Sequence, residues 1–135
     1  PASTEWEGKR WVVYYGAKNI PGAIRTAIGT GVQNTKDIIH YLGTAESSAA
    51  KLCSILSTGG YNDWFLPSKD ELNLIYENLH KEGLGDFAKR AYWSSSLVNR
   101  SHVLDSHVWI QDFTTGEQRN VNSSHYLRVR AIRNF

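Results

Sequence analysis

The stretch "HVWIQDFTTGEQRNV", residues 107–121, has the pattern of two β-strands joined by a tight turn. From His107 to Phe113, this stretch alternates between two sets of residues, which is the period of a strand: His107, Trp109, Gln111 and Phe113 in one set, and Val108, Ile110 and Asp112 in the other. The "TTG" at 114–116 suits a hairpin loop with glycine in the left-handed conformation, and "EQRNV" follows as the returning strand. The stretch therefore predicts an antiparallel hairpin.

Residues on both sides of this hairpin also predict strands. Upstream, the period changes to two at residue 91, and "YWSSS" at 92–96 begins with two residues that are typical of a strand or a core. Downstream, "YLRVRAI" at 126–132 predicts a last strand whose one face carries Leu127, Val129 and Ala131. "RWVVYYG" at 10–16 is a further candidate strand near the start of the chain.

Between these strands, the middle of the chain predicts helices. The strongest local signal is Ser68 with Glu71, a capping box that begins a helix. The apolar residues that follow repeat at helical spacing, namely Leu72, Ile75, Tyr76 and Leu79. Two more helices are predicted, one from Thr35 to Gly43 and one at about 45–57. Helices that precede an antiparallel sheet indicate an α+β fold.

Length and charge limit the possible classes of protein. The 135 residues are enough for one domain with one core. We therefore expect 1–135 to be a single domain. Because the chain starts at Pro1 rather than at Met, we also expect this domain to be the C-terminal part of a longer protein. The net charge is only +2, and no apolar run approaches the roughly 18 residues of a membrane-spanning helix. We expect no nucleic-acid partner and no direct membrane insertion of this segment.

Patterns for catalysis or metal binding are weak. The sequence has no phosphate-binding loop, dinucleotide motif, HExxH or CxxC. Cys53 is the only cysteine, and its apolar surroundings predict a buried thiol. His102 and His107 lack carboxylates in a ligand pattern, and Ser94–Ser96 lack the context of a nucleophilic serine. The alternating Arg128, Arg130 and Arg133 predict a solvated or salt-bridged face rather than an anion site. We expect no enzyme activity, no metal and no cofactor.

A compositional break separates the end of the chain from the rest. Lys, Glu, Gln, Met and Trp together occupy 18 of residues 1–93, but none of the 31 residues in the windows 94–107 and 119–135. At the earlier rate these windows would hold about six. An asparagine codon, AAC or AAT, cannot reach these five residue types when its adenines are replaced. Between the windows stand Trp109, Gln111, Glu117 and Gln118. Chance composition is one explanation, and mutation of adenines is the other.

Several motifs occur in an order that resembles a known family, namely "GGYNDWFLPSKDELNLIY", "YWSSS", "VWIQDF", "GEQ" and "RVRAIRNF". It is a bacterial family of domains of unknown function with a C-type-lectin-like fold, of the formylglycine-generating-enzyme type. Some members are variable proteins of diversity-generating retroelements, in which an error-prone reverse transcriptase mutates adenines while it copies a template repeat into the 3′ end of the gene. The resemblance, from about Gly29 to Phe135, implies two main helices packed on a small antiparallel sheet with long loops.

The resemblance also implies a diversified ligand-binding surface near the C-terminus. Trp109, Gln111 and Phe113 would be fixed and point inward, whereas Ile110 and Asp112 would face outward, and the surface would continue across the hairpin. The implied surface positions are Val98, Asn99, Arg100, Ser101, His102, Ile110, Asp112, Thr114, Thr115, Arg119, Asn120, Asn122, Ser124, His125 and Tyr126. Ser and Asn supply adaptable hydrogen bonds, and Tyr, His and Arg can anchor a ligand.

The leading hypothesis is a non-enzymatic domain that recognises a protein or glycan ligand on another cell or host, at the cell surface or on a phage particle. One alternative is an invariant adhesion or structural module of the same fold. Another is an enzyme of the formylglycine-generating class, which the single cysteine disfavours. The calcium signatures EPN, QPD and WND of C-type lectins are absent, so calcium-dependent sugar binding is not supported.

Overall fold

A computed structural model of the protein describes residues 4–11, 20, 22–42, 48–98 and 107–134. Its helices are α1 (Gly31–Leu42), α2 (Ala49–Ser54) and α3 (Lys69–Asn78), followed by a 3₁₀ helix (His80–Glu82). Its strands are β1 (Glu5–Lys9), β2 (Ala91–Leu97), β3 (His107–Asp112), β4 (Gln118–Asn122) and β5 (Leu127–Arg130). The predicted α+β class is confirmed, with α1 and α3 as the two long helices.

The five strands form one mixed sheet in the order β1-β5-β2-β3-β4. Three of its pairings are antiparallel, but β2 and β5 run parallel where Tyr92 lies opposite Arg128. The prediction of a purely antiparallel sheet is therefore wrong in this pairing. Its physical reason is that β5 enters the sheet between β1 and β2 instead of pairing with β4, the strand that precedes it in the chain.

Both faces of the sheet are covered. On one face, Ile38 of α1 and Cys53 of α2 belong to the same buried cluster as Trp93 and Val129 of the sheet. On the other face, Leu72 of α3 packs with Tyr92 and Phe113. Because successive residues of a strand point to opposite faces, most strand residues in the middle of this sheet are excluded from solvent.

The capping box begins α3 as predicted. The Ser68 hydroxyl accepts a hydrogen bond from Glu71 N (3.3 Å), and Ser68 N donates to Glu71 Oε1 (2.8 Å). The second carboxylate oxygen of Glu71 accepts from Gly29 N (2.9 Å). The same buried side chain therefore starts the helix and fixes the loop before α1.

Three predictions for the first half of the chain need correction. Helix α1 begins at Gly31 rather than Thr35, whose hydroxyl instead accepts a hydrogen bond from Leu66 N (3.1 Å). Helix α2 has only six residues and is capped by Ser48. The predicted strand at 10–16 starts outside β1, since Trp11 lies in a bend and donates its indole N–H to Ser94 O (2.9 Å). Residues 12–16 lie outside the described residues.

Candidate functional site

The predicted hairpin forms at one edge of the described sheet. β3 and β4 pair from His107 opposite Asn122 to Gln111 opposite Gln118. Gly116 in the connecting turn has a φ of +85°, the left-handed conformation that the sequence predicts. Within the described residues, β4 has β3 as its only neighbouring strand. The polar side chains of β4 are therefore presented along an edge.

One face of the hairpin is fixed to α3 through glutamine and tryptophan side chains. Gln111 Nε2 donates to Asn73 Oδ1 (2.9 Å), and Gln118 Nε2 donates to Lys69 O (2.7 Å). The Lys69 ammonium lies 4.7 Å from the centre of the Trp109 ring. An asparagine codon cannot reach the four residues Trp109, Gln111, Glu117 and Gln118, which lie between the two windows. Three of these four, all except Glu117, thus hold the hairpin in place.

The opposite face of β3 is also buried, which corrects the prediction for Ile110. Gln111 and Phe113 are buried as predicted, and Trp109 is half-buried. However, Ile110 is only 1% exposed and lies with Val108 in the larger core. Strand alternation predicts an outward-facing Ile110 only if the face that carries Trp109 and Gln111 is the one covered face of the sheet. Helices α1 and α2 cover the other face too, so Ile110 belongs to the scaffold and not to the candidate surface.

Asp112 lies on the same face of β3 as Ile110, but at the hairpin turn, where it is only half-buried. Its Oδ1 accepts a hydrogen bond from Thr114 N (2.8 Å), and its Oδ2 lies 3.8 Å from Arg119 Nη1. Thr114 Oγ1 also donates to Lys89 O (3.1 Å). Thr114, Thr115 and Arg119 are exposed, whereas Asp112 is half-buried and stabilises the turn.

Asn120 and Asn122 lie on the face of β4 that points away from Arg119. Asn120 is paired with Trp109, and its Oδ1 lies 3.1 Å from His107 Nδ1. A ligand can therefore reach Arg119 and Asn120 together only along the edge of the sheet. His107 and Trp109 are half-buried on the asparagine face, and the strand register was the signal that could have placed them there.

A second exposed group, Ser124, His125 and Tyr126, connects β4 to β5. The turn is held by Asn122, whose Oδ1 accepts from Ser124 N (2.9 Å) and whose carbonyl accepts from His125 N (3.2 Å). Tyr126 is 62% exposed, and the Arg10 guanidinium lies 4.7 Å from the centre of its ring. An exposed tyrosine supported by arginine has the properties of a binding anchor.

The remaining predicted positions lie before β3. Val98 is half-buried, and its N–H donates to His107 O (2.8 Å), which extends the pairing of β2 with β3. Four positions lie outside the described residues, namely Asn99, Arg100, Ser101 and His102. The candidate surface that the structure describes consists of Asp112, Thr114, Thr115, Arg119, Asn120, Asn122, Ser124, His125 and Tyr126.

The serines of "YWSSS" hold the scaffold together. All three are 0% exposed. Ser94 Oγ donates to Trp109 O (2.6 Å), and Ser96 Oγ donates to Arg25 O (2.7 Å) while it accepts from Lys69 N (2.9 Å). Buried hydroxyls with partners of this kind explain a polar run in a central strand.

The described residues contain no reactive thiol, no cluster of metal ligands and no membrane-spanning helix. Cys53 is buried as predicted, and burial raises the pKa of its thiol. In the described ranges, no three His, Cys, Asp or Glu side chains are arranged to hold a metal ion. No helix in the same ranges combines the length and apolar character needed to cross a membrane.

A comparison with known protein families matches residues 5–133 to the family described as the Lcl C-terminal domain. A search of curated proteins finds no sequence that matches the chain. The family match includes every described helix and strand, from the start of β1 to the end of β5. The chain therefore belongs to the Lcl C-terminal domain family.

Proposed function

We propose that the protein is a non-enzymatic ligand-binding domain of the variable-protein type, with a C-type-lectin-like fold. Its C-terminal surface would be diversified by adenine-directed mutagenesis of a retroelement. The partner would be a protein or glycan on another cell or host, met at the cell surface or by a phage particle. Membership of the family supports this proposal, because the family is linked to variable proteins of diversity-generating retroelements.

The observation that carries the proposal is a division of roles within the hairpin. Residue types that adenine replacement cannot create, Gln111, Gln118 and Trp109, bind the hairpin to α3. Residue types that it can create dominate the exposed positions of the turn and of the β4–β5 connection. Glu117 is an exposed exception, and Ile110 shows that a reachable codon alone does not identify a contact residue.

Exposure is what allows such a surface to vary. Substitutions at exposed sites without special contacts usually change the free energy of unfolding by within about 0.5 kcal/mol. Loops and edges on a rigid scaffold are also where binding residues are commonly found. The buried serines, the capped α3 and the two-sided core supply that scaffold here.

A pair of displayed libraries tests the proposal. In the first, the exposed Thr115, Arg119, Ser124 and His125 are each replaced by the residue types that an asparagine codon can reach. In the control library, the same types replace buried Val108 and Val129, which are 0% exposed. Protease resistance measures the folded fraction, and the surface library is then selected against a panel of purified proteins and glycans.

We expect most clones of the surface library to stay folded and some to bind, whereas most control clones lose protease resistance. The proposal is contradicted if the surface library unfolds as often as the control library. It is also contradicted if the folded surface clones never yield a binder whose affinity depends on the four varied positions.

A further inference from the structure

Two neighbouring clefts lie beside β1 and the start of β5, and one ion pair lines both of them. The smaller cleft has a volume of about 240 Å³ and is lined by Arg90 and Tyr126 among others. The larger one has about 460 Å³ and includes Arg130. Arg128 and Glu7 line both clefts, so this ion pair lies between them.

The two halves of the Arg128 guanidinium have very different partners. Nη1 donates to Glu5 Oε2 (2.7 Å), a carboxylate that also accepts from Arg130 Nη1 (3.0 Å) and the Tyr92 hydroxyl (2.9 Å). Nη2 donates to Glu7 Oε1 (2.7 Å). The Glu5 side chain is 15% exposed and the Glu7 side chain is 77% exposed. Half of the guanidinium is therefore fixed inside the protein, and half holds a surface carboxylate.

A surface carboxylate of this kind is easily replaced. Exposed ion pairs contribute little to stability, because water solvates both partners and the side chains lose freedom. Without Glu7, the charged groups that line the smaller cleft are Arg90 and Arg128, which are both cationic. Nη2 of Arg128 would then be free to donate a charge-assisted hydrogen bond to another carboxylate, while Nη1 stays bonded to Glu5.

We propose that the smaller cleft binds a carboxylate of a protein partner, an Asp or Glu side chain or a chain end. Arg128 exchanges the Glu7 carboxylate for that of the partner, while Arg90 adds a second cation and Tyr126 covers the contact. A volume of about 240 Å³ is below the roughly 300–1,000 Å³ of small-molecule sites, so it fits one side chain better than a sugar chain. The inference rests on the proposed binding function and adds the partner's chemistry to it.

The test is a titration of the isotope-labelled protein with N-acetylglutamate methylamide, followed through the arginine side-chain N–H signals in NMR spectra. Glu7→Gln removes the competing carboxylate and should tighten binding about threefold, whereas Arg90→Gln should weaken it about threefold. Lys89→Gln is the matched control, because Lys89 is an exposed cation that lines neither cleft. The uncharged glutamine analogue should not bind.

The inference is overturned if Glu7→Gln leaves binding unchanged or weaker, or if the glutamine analogue binds as well as the glutamate one. Tighter binding of glucuronate than of the glutamate compound would also overturn it and would assign the cleft to an acidic glycan. Melting curves show that each variant is folded. The libraries above vary neither Glu7 nor Arg90, so failure of the titration alone leaves the proposed function intact.

Discussion

Replacing Ile110 with alanine should destabilise the protein far more than replacing Thr115 with alanine in the same hairpin. Ile110 is 1% exposed in the larger core, and truncating such a residue costs about 3 kcal/mol through lost burial and the cavity left behind. For a chain of 135 residues, the unfolding entropy is about 0.28 kcal/mol/K, so the melting temperature should fall by about 10 °C. Thr115 is exposed, and its hydroxyl accepts one hydrogen bond from Glu117 N (3.2 Å). Loss of this hydrogen bond should lower the free energy of unfolding by at most about 1 kcal/mol, and the melting temperature by about 4 °C.

Thermal unfolding followed by circular dichroism and urea unfolding with linear extrapolation would measure both variants. Ile110→Val is the graded control and should cost about 1 kcal/mol, because it removes one methylene group. If Ile110→Ala stays within about 1 kcal/mol of the wild type, Ile110 does not lie in the core. The assignment of the covered face of β3 would then be refuted, and Ile110 would return to the candidate surface.

Three further variants test the turn, its anchor and an ion pair. Gln111→Leu keeps a similar volume but removes the amide that bonds the hairpin to α3, and it should lower the urea-derived stability by about 2 kcal/mol; an unchanged stability would contradict this anchor. Gly116→Ala should cost at least about 2 kcal/mol in the same assay, because φ is +85° and the added Cβ would lie 2.6 Å from the Tyr76 ring; a neutral effect would argue against the left-handed turn. A hydrogen bond from Arg25 lowers the pKa of Asp37 in the folded protein. The ion pair therefore stabilises the fold at a pH above the pKa that Asp37 has in the unfolded chain, and this stabilisation is lost as the pH falls through the lower pKa of the folded state. Asp37→Asn should therefore reduce the loss of stability below about pH 4 in urea midpoints measured against pH, and an identical pH profile would contradict the pairing.

The elements that could be predicted from sequence are those whose signals are local. The capping box of Ser68 and Glu71 satisfies backbone donors within one helical turn, so four residues are enough to place the start of α3. The hairpin of β3 and β4 is similarly defined by alternation and by the left-handed Gly116. Both signals depend on residues that are neighbours in the chain and need no knowledge of the rest of the fold.

The features that could not be predicted depend on contacts between distant residues. Alternation along β3 shows that Ile110 and Gln111 point to opposite faces, but it does not show that helices cover both faces. Nor does any local pattern show that β5 enters beside β2, which makes one pairing parallel. These outcomes are set by the packing of the whole chain.

The same distinction holds for the candidate site. Composition marks the windows 94–107 and 119–135, and the family resemblance implies that Ser124–Tyr126 within them is part of the surface. The structure shows these three residues exposed. The cleft could not be predicted, since the ion pair of Arg128 with Glu7 joins residues 121 positions apart. The sequence predicts a solvated or salt-bridged face for the arginines of the last strand. Which of the two it is, and which carboxylates lie opposite them, follows only from the pairing of β1 with β5.

Sequencing the DNA around the 3′ end of the gene in several isolates tests the central claim most directly. We predict a nearby near-copy of the codons for about residues 94–135 that differs from the gene only where the copy has adenine. The differing codons should include exposed positions such as Thr115, Ser124 and His125, and should spare Gln111 and Gln118. If no such copy exists and the isolates agree base for base, the surface is fixed, and the account of a diversified binding domain is contradicted in favour of an invariant adhesion module.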